Sequence, residues 1–541
     1  MSQPSAKAVY VSADAAMQSA RAARQANRWP EELEAAEAAA RLAPERSDAW
    51  IMVASAAARL NQHERAEEAQ LKALEVVTDP LLRDRLEVDR AWSLASQRRF
   101  REAIALARAD RPLIANDPIS RNILGATLVT IGMGAEALPH LEFASKLLPE
   151  RPDILFNLAV VYRSIGRDDD AGAAAEKILA IAPGYLPAYE FLGDIRKATP
   201  AANLVDRLRE IRGRLAPGMD ALFIDYALFK QLDDLDRRDE AWTVVKRAND
   251  AKGKVQPWSV KDDEAIADAL RALQKTIPAP AASPAAAEPP RPIFIISLPR
   301  TGSTLVERVF SAHPQVRSLG ELEAFGRALK SAGGLPPAPY VGPDLAGTAR
   351  LDWHAIGKAY RGEVAALADG AAVVTDKMPL NWWYAPMIAA ALPDATLLHV
   401  RREPMDALFG AYKLSFGYAF GWSYSFEDLA AHYGVYRRLM ADWKKALGDR
   451  LVEVDYEALV SDPDAVTPQI LAACGLEFDA ACLSPHKAEG TVSTPSAAQV
   501  RQPITAANVG SWRRYAEQLE PLRALLQRDG WVDANGDGVK A

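Results

Sequence analysis

The first place in this chain where residue types could do chemistry is a glycine-containing turn between an apolar run and a helix-forming stretch. Ile293-Phe294-Ile295-Ile296-Ser297 leads into Leu298-Pro299-Arg300-Thr301-Gly302-Ser303-Thr304-Leu305, and an apolar helical stretch follows at 306–312. A strand, a tight loop and a helix N-terminus offer unpaired backbone N–H groups and the positive end of the helix dipole to an anion. Gly302 permits the close turn, Ser303 and Thr304 add hydroxyl donors, and Arg300 adds a guanidinium with several fixed donors. The loop is not that of a nucleoside triphosphatase, which needs G-x-x-x-x-G-K-[ST]. Here no lysine follows Gly302, and no acidic partner for a magnesium ion stands out. A second cation, Lys377, comes just after the apolar run Ala371–Thr375. A lysine off the end of a buried parallel strand lies where such sheets place their ligands. A cation fixed there can meet negative charge as it develops. The plainer alternatives are a strand-to-helix connection and a solvated loop lysine.

Those residues need a sheet to position them. The apolar runs at 293–297, 371–375, 396–400 and 451–454 read as strands, with helical stretches between them. Alternating strand and helix predicts an α/β layer fold with a parallel sheet. Ahead of it, Ile277–Pro292 is a Pro/Ala segment with no core-forming pattern, which reads as a linker. Residues before that are rich in helix formers, and they repeat. A small alanine recurs at Ala66, Ala103, Ala137 and Ala171, at steps of 37, 34 and 34 residues. Leu124, Leu158 and Leu192 keep the same register, as do Gly132 and Gly166, and Pro149 and Pro183. A period of 34, with a small residue opening the second helix and proline closing it, resembles the tetratricopeptide repeat. The period is clear from about 30 to 200 and blurs at Leu74–Arg90 and after Thr199, while Phe223–Asn249 still reads as a helical hairpin. Each hairpin cannot bury its apolar face alone, so the units stack into a solenoid. The expected domains are a helical repeat array at 1–275, a linker at 276–292 and an α/β domain at 293–541.

Composition narrows the class. Of 541 residues, 49% are hydrophobic and 25% charged, which suits globular domains. A formal charge of −7 argues against a general nucleic-acid binder. The two cysteines, Cys474 and Cys482, are too few for a disulfide framework, and the seven histidines have no metal-ligand spacing. No run is long and apolar enough to span a membrane, and the opening residues lack a secretory pattern. The expected location is cytoplasmic, with no metal and no nucleic acid.

The ordered motifs carry a resemblance. Pro299-Arg300-Thr301-Gly302-Ser303-Thr304-Leu305 is similar to the 5′-phosphosulfate loop of sulfotransferases that use 3′-phosphoadenosine 5′-phosphosulfate (PAPS). Ala312-His313-Pro314-Gln315-Val316-Arg317, followed by Gly320-Glu321, resembles tyrosylprotein sulfotransferases and bacterial proteins that join tetratricopeptide repeats to a sulfotransferase. The similarity covers most of 292–530 and implies a fold with a parallel sheet around a loop of the P-loop kind. It implies that Arg300, Thr301, Gly302, Ser303 and Thr304 hold the donor's phosphosulfate. Glu321 matches the general base, with Glu323 its competitor, because an acceptor hydroxyl gains from a base as it attacks. Lys377 matches the lysine that stabilises the leaving oxygen, and Ser496 a serine beside it. Arg402, in Arg402-Glu403-Pro404-Met405-Asp406, matches an arginine that holds the 3′-phosphate. The serine usual eight residues later is here Gly410, with Tyr412 or Ser415 as substitute donors. Tyr456 matches a residue lining the donor site, and Arg501, Arg513 and Arg514 are further clamps on the 3′-phosphate. Asp406 reads as a helix-start or packing acid.

The resemblance thus implies sulfuryl transfer from PAPS to a hydroxyl, leaving PAP. Peptide tyrosine is the first acceptor expected, and a small-molecule, lipid or glycan hydroxyl the second. A repeat scaffold whose nucleotide-binding domain does no chemistry is the third reading. The repeats are expected to recruit a peptide or protein acceptor, with homodimerisation as their other role. The aromatic segment 416–426 and Trp382-Trp383 suit either an acceptor pocket or plain packing.

Overall fold

The computed structural model describes residues 10–277, 289–335, 351–416, 418–488, 490 and 497–539. They fall into two compact units, Met1–Val161 and Tyr162–Ala541.

The first unit is built from packed helix pairs, among them Ser47–Arg59 with His63–Val76 and Pro118–Ile131 with Gly134–Leu147. The small residue opening each second helix lies at the helix crossing: Ala66, Ala103 and Ala137 are fully buried. Part of the core is itself mostly alanine, with Ala16, Ala36, Ala39, Ala56 and Ala57 packed around Met17, Leu33 and Val53. Gly132 ends its helix with φ of 91°, a left-handed turn that favours glycine. The stretch where the period blurs holds a longer helix, Pro80–Ser96, of 17 residues against 13 and 14 in the two helices before it. The extra turn accounts for the step of 37 in place of 34. Among the described residues no helix is long and apolar enough to cross a membrane.

The second unit continues the helical repeats, with Ala171 and Ala241 again fully buried. It then forms a five-stranded parallel sheet of β1 (Arg291–Ile296), β2 (Val316–Ser318), β3 (Val373–Asp376), β4 (Thr396–Arg401) and β5 (Leu451–Asp455), in the order β2-β3-β1-β4-β5. Ile293 pairs with Thr375 on one side and Thr396 on the other. Ile293 to Ile296 are all fully buried because helices cover both faces of β1. On one face Val306, Val309 and Phe310 pack with Ile470 and Leu471. On the other, Phe294 meets Phe325 and Tyr360. β1 lies centrally between β3 and β4, so the loops leaving these three strands open at one edge of the sheet.

The last repeat helices share this unit's core. Trp242 stacks on Tyr412 at 5.7 Å between ring centres, and Asn249 donates to the Tyr412 carbonyl at 2.9 Å. His432 pairs with Asp263 at 2.5 Å, and Arg271 with Asp442 at 2.7 Å. The Pro/Ala segment is therefore a change in composition, while the division in packing lies between residues 161 and 162.

Candidate active site

The turn after β1 reaches the helix Ser303–Ser311 through two residues with positive φ, Arg300 at 67° and Gly302 at 94°. Gly302 is needed twice over: its φ disfavours other residues, and a Cβ there would run into the Tyr456 ring. Thr301 donates its hydroxyl to the Leu298 carbonyl at 2.9 Å, so it closes the turn and offers a ligand only its backbone. Ser303 and Thr304 occupy the first helical turn, whose N–H groups have no carbonyl within the helix to bond to.

Arg300 carries strain that its surroundings hold in place. Arg402 donates to the Arg300 carbonyl at 3.0 Å, and its guanidinium lies 4.7 Å from the centre of the Tyr456 ring. The Arg300 guanidinium is pushed down to about 10, first by burial and then by the charge of Arg402; Tyr456 and Asp194 oppose the shift. Gly410 packs directly on this side chain: a Cβ at 410 would stand 3.0 Å from Arg300 Cβ. The glycine that replaces the expected serine therefore makes room for the left-handed arginine. Tyr412 is buried against Trp242 and supplies no substitute hydroxyl from the surface.

On the other side of β1, Lys377 leaves β3 almost fully buried, and its ammonium pairs with the Glu321 carboxylate. Glu321 stands on the turn after β2 with 46% of its side chain exposed. Glu323 instead starts the helix Ala324–Ala332. The structure thus brings Arg300, Gly302, Arg402 and Tyr456 together, and Glu321 onto Lys377, at the same sheet edge. Ser496 lies outside the described residues.

Three arginines expected at the 3′-phosphate bond to protein groups in this structure. Arg501 donates to the Ser164 carbonyl at 2.7 Å. Arg513 pairs with Asp537 at 2.7 Å, and Arg514 with Asp236 at 2.9 Å and Asp233 at 3.1 Å. Asp406 is the anchor of this C-terminal segment: it accepts from Gly510 N–H at 2.6 Å, Ser511 Oγ at 3.0 Å and Trp512 N–H at 3.0 Å. The tryptophans after Lys377 are core residues: Trp382 and Trp383 stack at 4.0 Å, and Trp443 donates to the Trp382 carbonyl.

Sequence reasoning missed Lys413, Glu307 and Asp376. Lys413 has no ion-pair partner among the described residues; burial depresses it, and Arg300, Arg514 and Arg402 add to that while Asp233 opposes. Burial pushes the Glu307 and Asp376 carboxyls up. Glu307 left a faint signal, an acid within the apolar helix stretch Val306–Phe310.

The donor set fits an anionic phosphosulfate ester. Arg300, the N–H groups of the helix start and Lys377 could hold the phosphosulfate end. Arg402 could hold a second phosphate, since its Nε is buried without a partner among the described residues.

Residues 292–480 match the family model described as the sulfotransferase family. Residues 6–80 and 127–185 match the tetratricopeptide repeat. An uncharacterised protein of Aquifex aeolicus (strain VF5) is 25% identical over 413 residues, covering 73% of this chain and 53% of its own. The chain thus spans about half the length of that curated relative. The sulfotransferase domain of the Synechococcus PCC 7002 olefin synthase is 22% identical, with a TM-score of 0.30, over 43% of this chain and 90% of that one. YrrB, described as a TPR protein with an unusual peptide-binding site, is 20% identical, with a TM-score of 0.25, over 32% of this chain and 89% of its own. The chain carries a domain of the sulfotransferase family together with tetratricopeptide repeats.

Proposed function

We propose that the chain transfers a sulfuryl group from PAPS to a hydroxyl, with peptide tyrosine as the acceptor. The observation that carries this reading is the Glu321–Lys377 pair at the exit of β3, the strand next to the one that leads into the Arg300 turn. Transfer forms a bond from the acceptor oxygen to sulfur and breaks the bond from sulfur to the bridging phosphate oxygen. Glu321 takes the acceptor's proton. Arg300 and the helix-start N–H groups face the transferred oxygens. Lys377 meets the charge left on the bridging oxygen, as a fixed donor does best in a site that needs no reorganisation. Pairing between Glu321 and Lys377 keeps both side chains at the reaction point before substrates arrive. Arg402, stacked on Tyr456, holds the 3′-phosphate. The resemblance around Glu321 supports a tyrosine acceptor, and the repeats suit recruitment of a peptide or protein.

The test is a comparison of cell-extract peptides and metabolites incubated with the full chain, with and without PAPS. A gain of about 80 Da on tyrosine peptides, one added SO₃, is the expected result. The gain should vanish with Lys377→Ala, since loss of one such donor costs roughly 100–1000-fold. A gain confined to small hydroxyl compounds would overturn the tyrosine reading, and no gain anywhere would overturn the transfer reading.

A further inference from the structure

Two buried carboxylates stand behind the Glu321–Lys377 pair, and the motifs assign neither a role. Glu307 lies one turn into the helix that starts at the Arg300 turn, and Asp376 ends β3; they are 6% and 0% exposed. A carboxylate placed among Val306, Val309 and Phe310 is costly unless it is bonded. Glu307 is bonded: its Oε1 accepts from Ser318 Oγ at 2.7 Å and from Gly320 N–H at 3.1 Å. Lys377 N–H donates to the Gly320 carbonyl at 2.9 Å, and Leu319 N–H to the Thr375 carbonyl at 3.0 Å. Asp376 accepts the backbone N–H groups of Leu322 and Met378 and, at 3.1 Å, the Tyr360 hydroxyl. The turn 319–322 is therefore fastened on both sides of Glu321. Its backbone is tied to the exit of β3, and its leading edge to the phosphate-loop helix through Glu307.

We propose that Glu307 is a positioning residue: by holding Ser318 and Gly320 it sets where Glu321 stands relative to the Arg300 turn. The helix that presents the anion-binding N–H groups then also sets the base, so the two halves of the reaction keep one geometry. The catalytic part of this proposal rests on the sulfuryl-transfer reading; the fastening part does not. Misplacing a reacting group by about 1 Å can cost on the order of 100-fold in rate, so a single hydrogen-bonded turn matters to the chemistry.

The experiment uses the full chain carrying Glu307→Ala, Glu307→Gln or Ser318→Ala. Amide hydrogen exchange is followed over 316–322, and turnover is measured with PAPS and an acceptor that the wild type sulfates. Glu307→Ala is expected to speed exchange at 318–321 by roughly tenfold or more, as local opening becomes easier. It should lower kcat roughly 10–100-fold while leaving the KM for PAPS within about twofold. Glu307→Gln keeps an oxygen that accepts both donors, so it should restore slow exchange and most of kcat. Ser318→Ala removes one donor and should fall between them, which decides the matter if Glu307→Ala does not fold. Wild-type exchange in Ser318→Ala or Glu307→Ala, or a Gln variant no better than Ala, would overturn the proposal. Absence of turnover in the wild type would overturn the transfer reading instead, and the exchange measurements would then decide by themselves whether Glu307 holds the turn.

Discussion

Arg300 shows how a single residue can be committed to one geometry. A left-handed φ costs a non-glycine residue on the order of 1 kcal/mol or more. Here Arg402 holds its carbonyl, and Gly410 leaves space beside its Cβ. Glu321 and Glu323 are separated by the same kind of argument. Glu321 has its carboxylate on Lys377, while Glu323 precedes a helix whose Arg327 N–H bonds to its carbonyl. Glu321→Gln is expected to lower kcat roughly 100-fold or more, the usual worth of a general base. Glu323→Gln should stay within a few-fold of the wild type. Steady-state rates of both variants check this; the reverse order would move the base to Glu323.

At the scale of elements, the repeat helix Leu186–Ile195 carries two acids one turn apart, Glu190 and Asp194. Like charges at that spacing repel. Burial pushes the Glu190 carboxyl up to about 7, Asp194 pushes it further, and Arg163 and Lys252 oppose. Asp194 is raised in the same direction by burial, although 43% of its side chain stays open and Arg163 lies 3.5 Å away. The sign follows from proton linkage. Below pH about 4.5 Glu190 is protonated in both states and costs nothing. As pH rises through 4.5 to 7 the unfolded chain releases this proton before the folded one, so stability falls across that window. Glu190→Gln removes the loss. It should raise the melting temperature above that of the wild type at pH 8 and leave it nearly unchanged at pH 4, as thermal unfolding at the two pH values will show.

The whole molecule sets what can be cut away. Tyr412, Phe426 and Tyr515 all pack on Trp242, and His432 on Asp263 and Trp258. Removing residues up to 285 would expose these side chains and leave buried polar groups such as His432 without a partner, which is costly. A chain beginning at Pro152 keeps every one of those contacts. It is expected to unfold cooperatively and to be stabilised by PAP through mass action, whereas a chain beginning at Ala286 should aggregate or melt without a sharp transition. Calorimetry of both chains, with and without PAP, distinguishes the outcomes. A sharp, PAP-dependent transition from residue 286 onward would show that the repeat helices are dispensable.

The loop at 298–305, the lysine after β3 and the repeat register were legible in the chain because each depends on neighbours a few residues away. Strand, turn and helix follow from apolar runs, Gly302 and helix formers, and a period of 34 survives any change in side-chain partners. β2 was not legible, since three residues are too few to show an alternation. The partners of the arginines were not legible either. Arg501, Arg513 and Arg514 look alike in sequence, and each had many carboxylates and carbonyls to choose from. Only folding placed Ser164, Asp537 and Asp236 beside them. The roles of Glu307 and Gly410 depended likewise on distant backbone, one on the turn at 318–320 and the other on the strained Arg300. Local conformation is decided by sterics and hydrogen bonding within a few residues, but the partner of a charge is decided by which surfaces the core brings together.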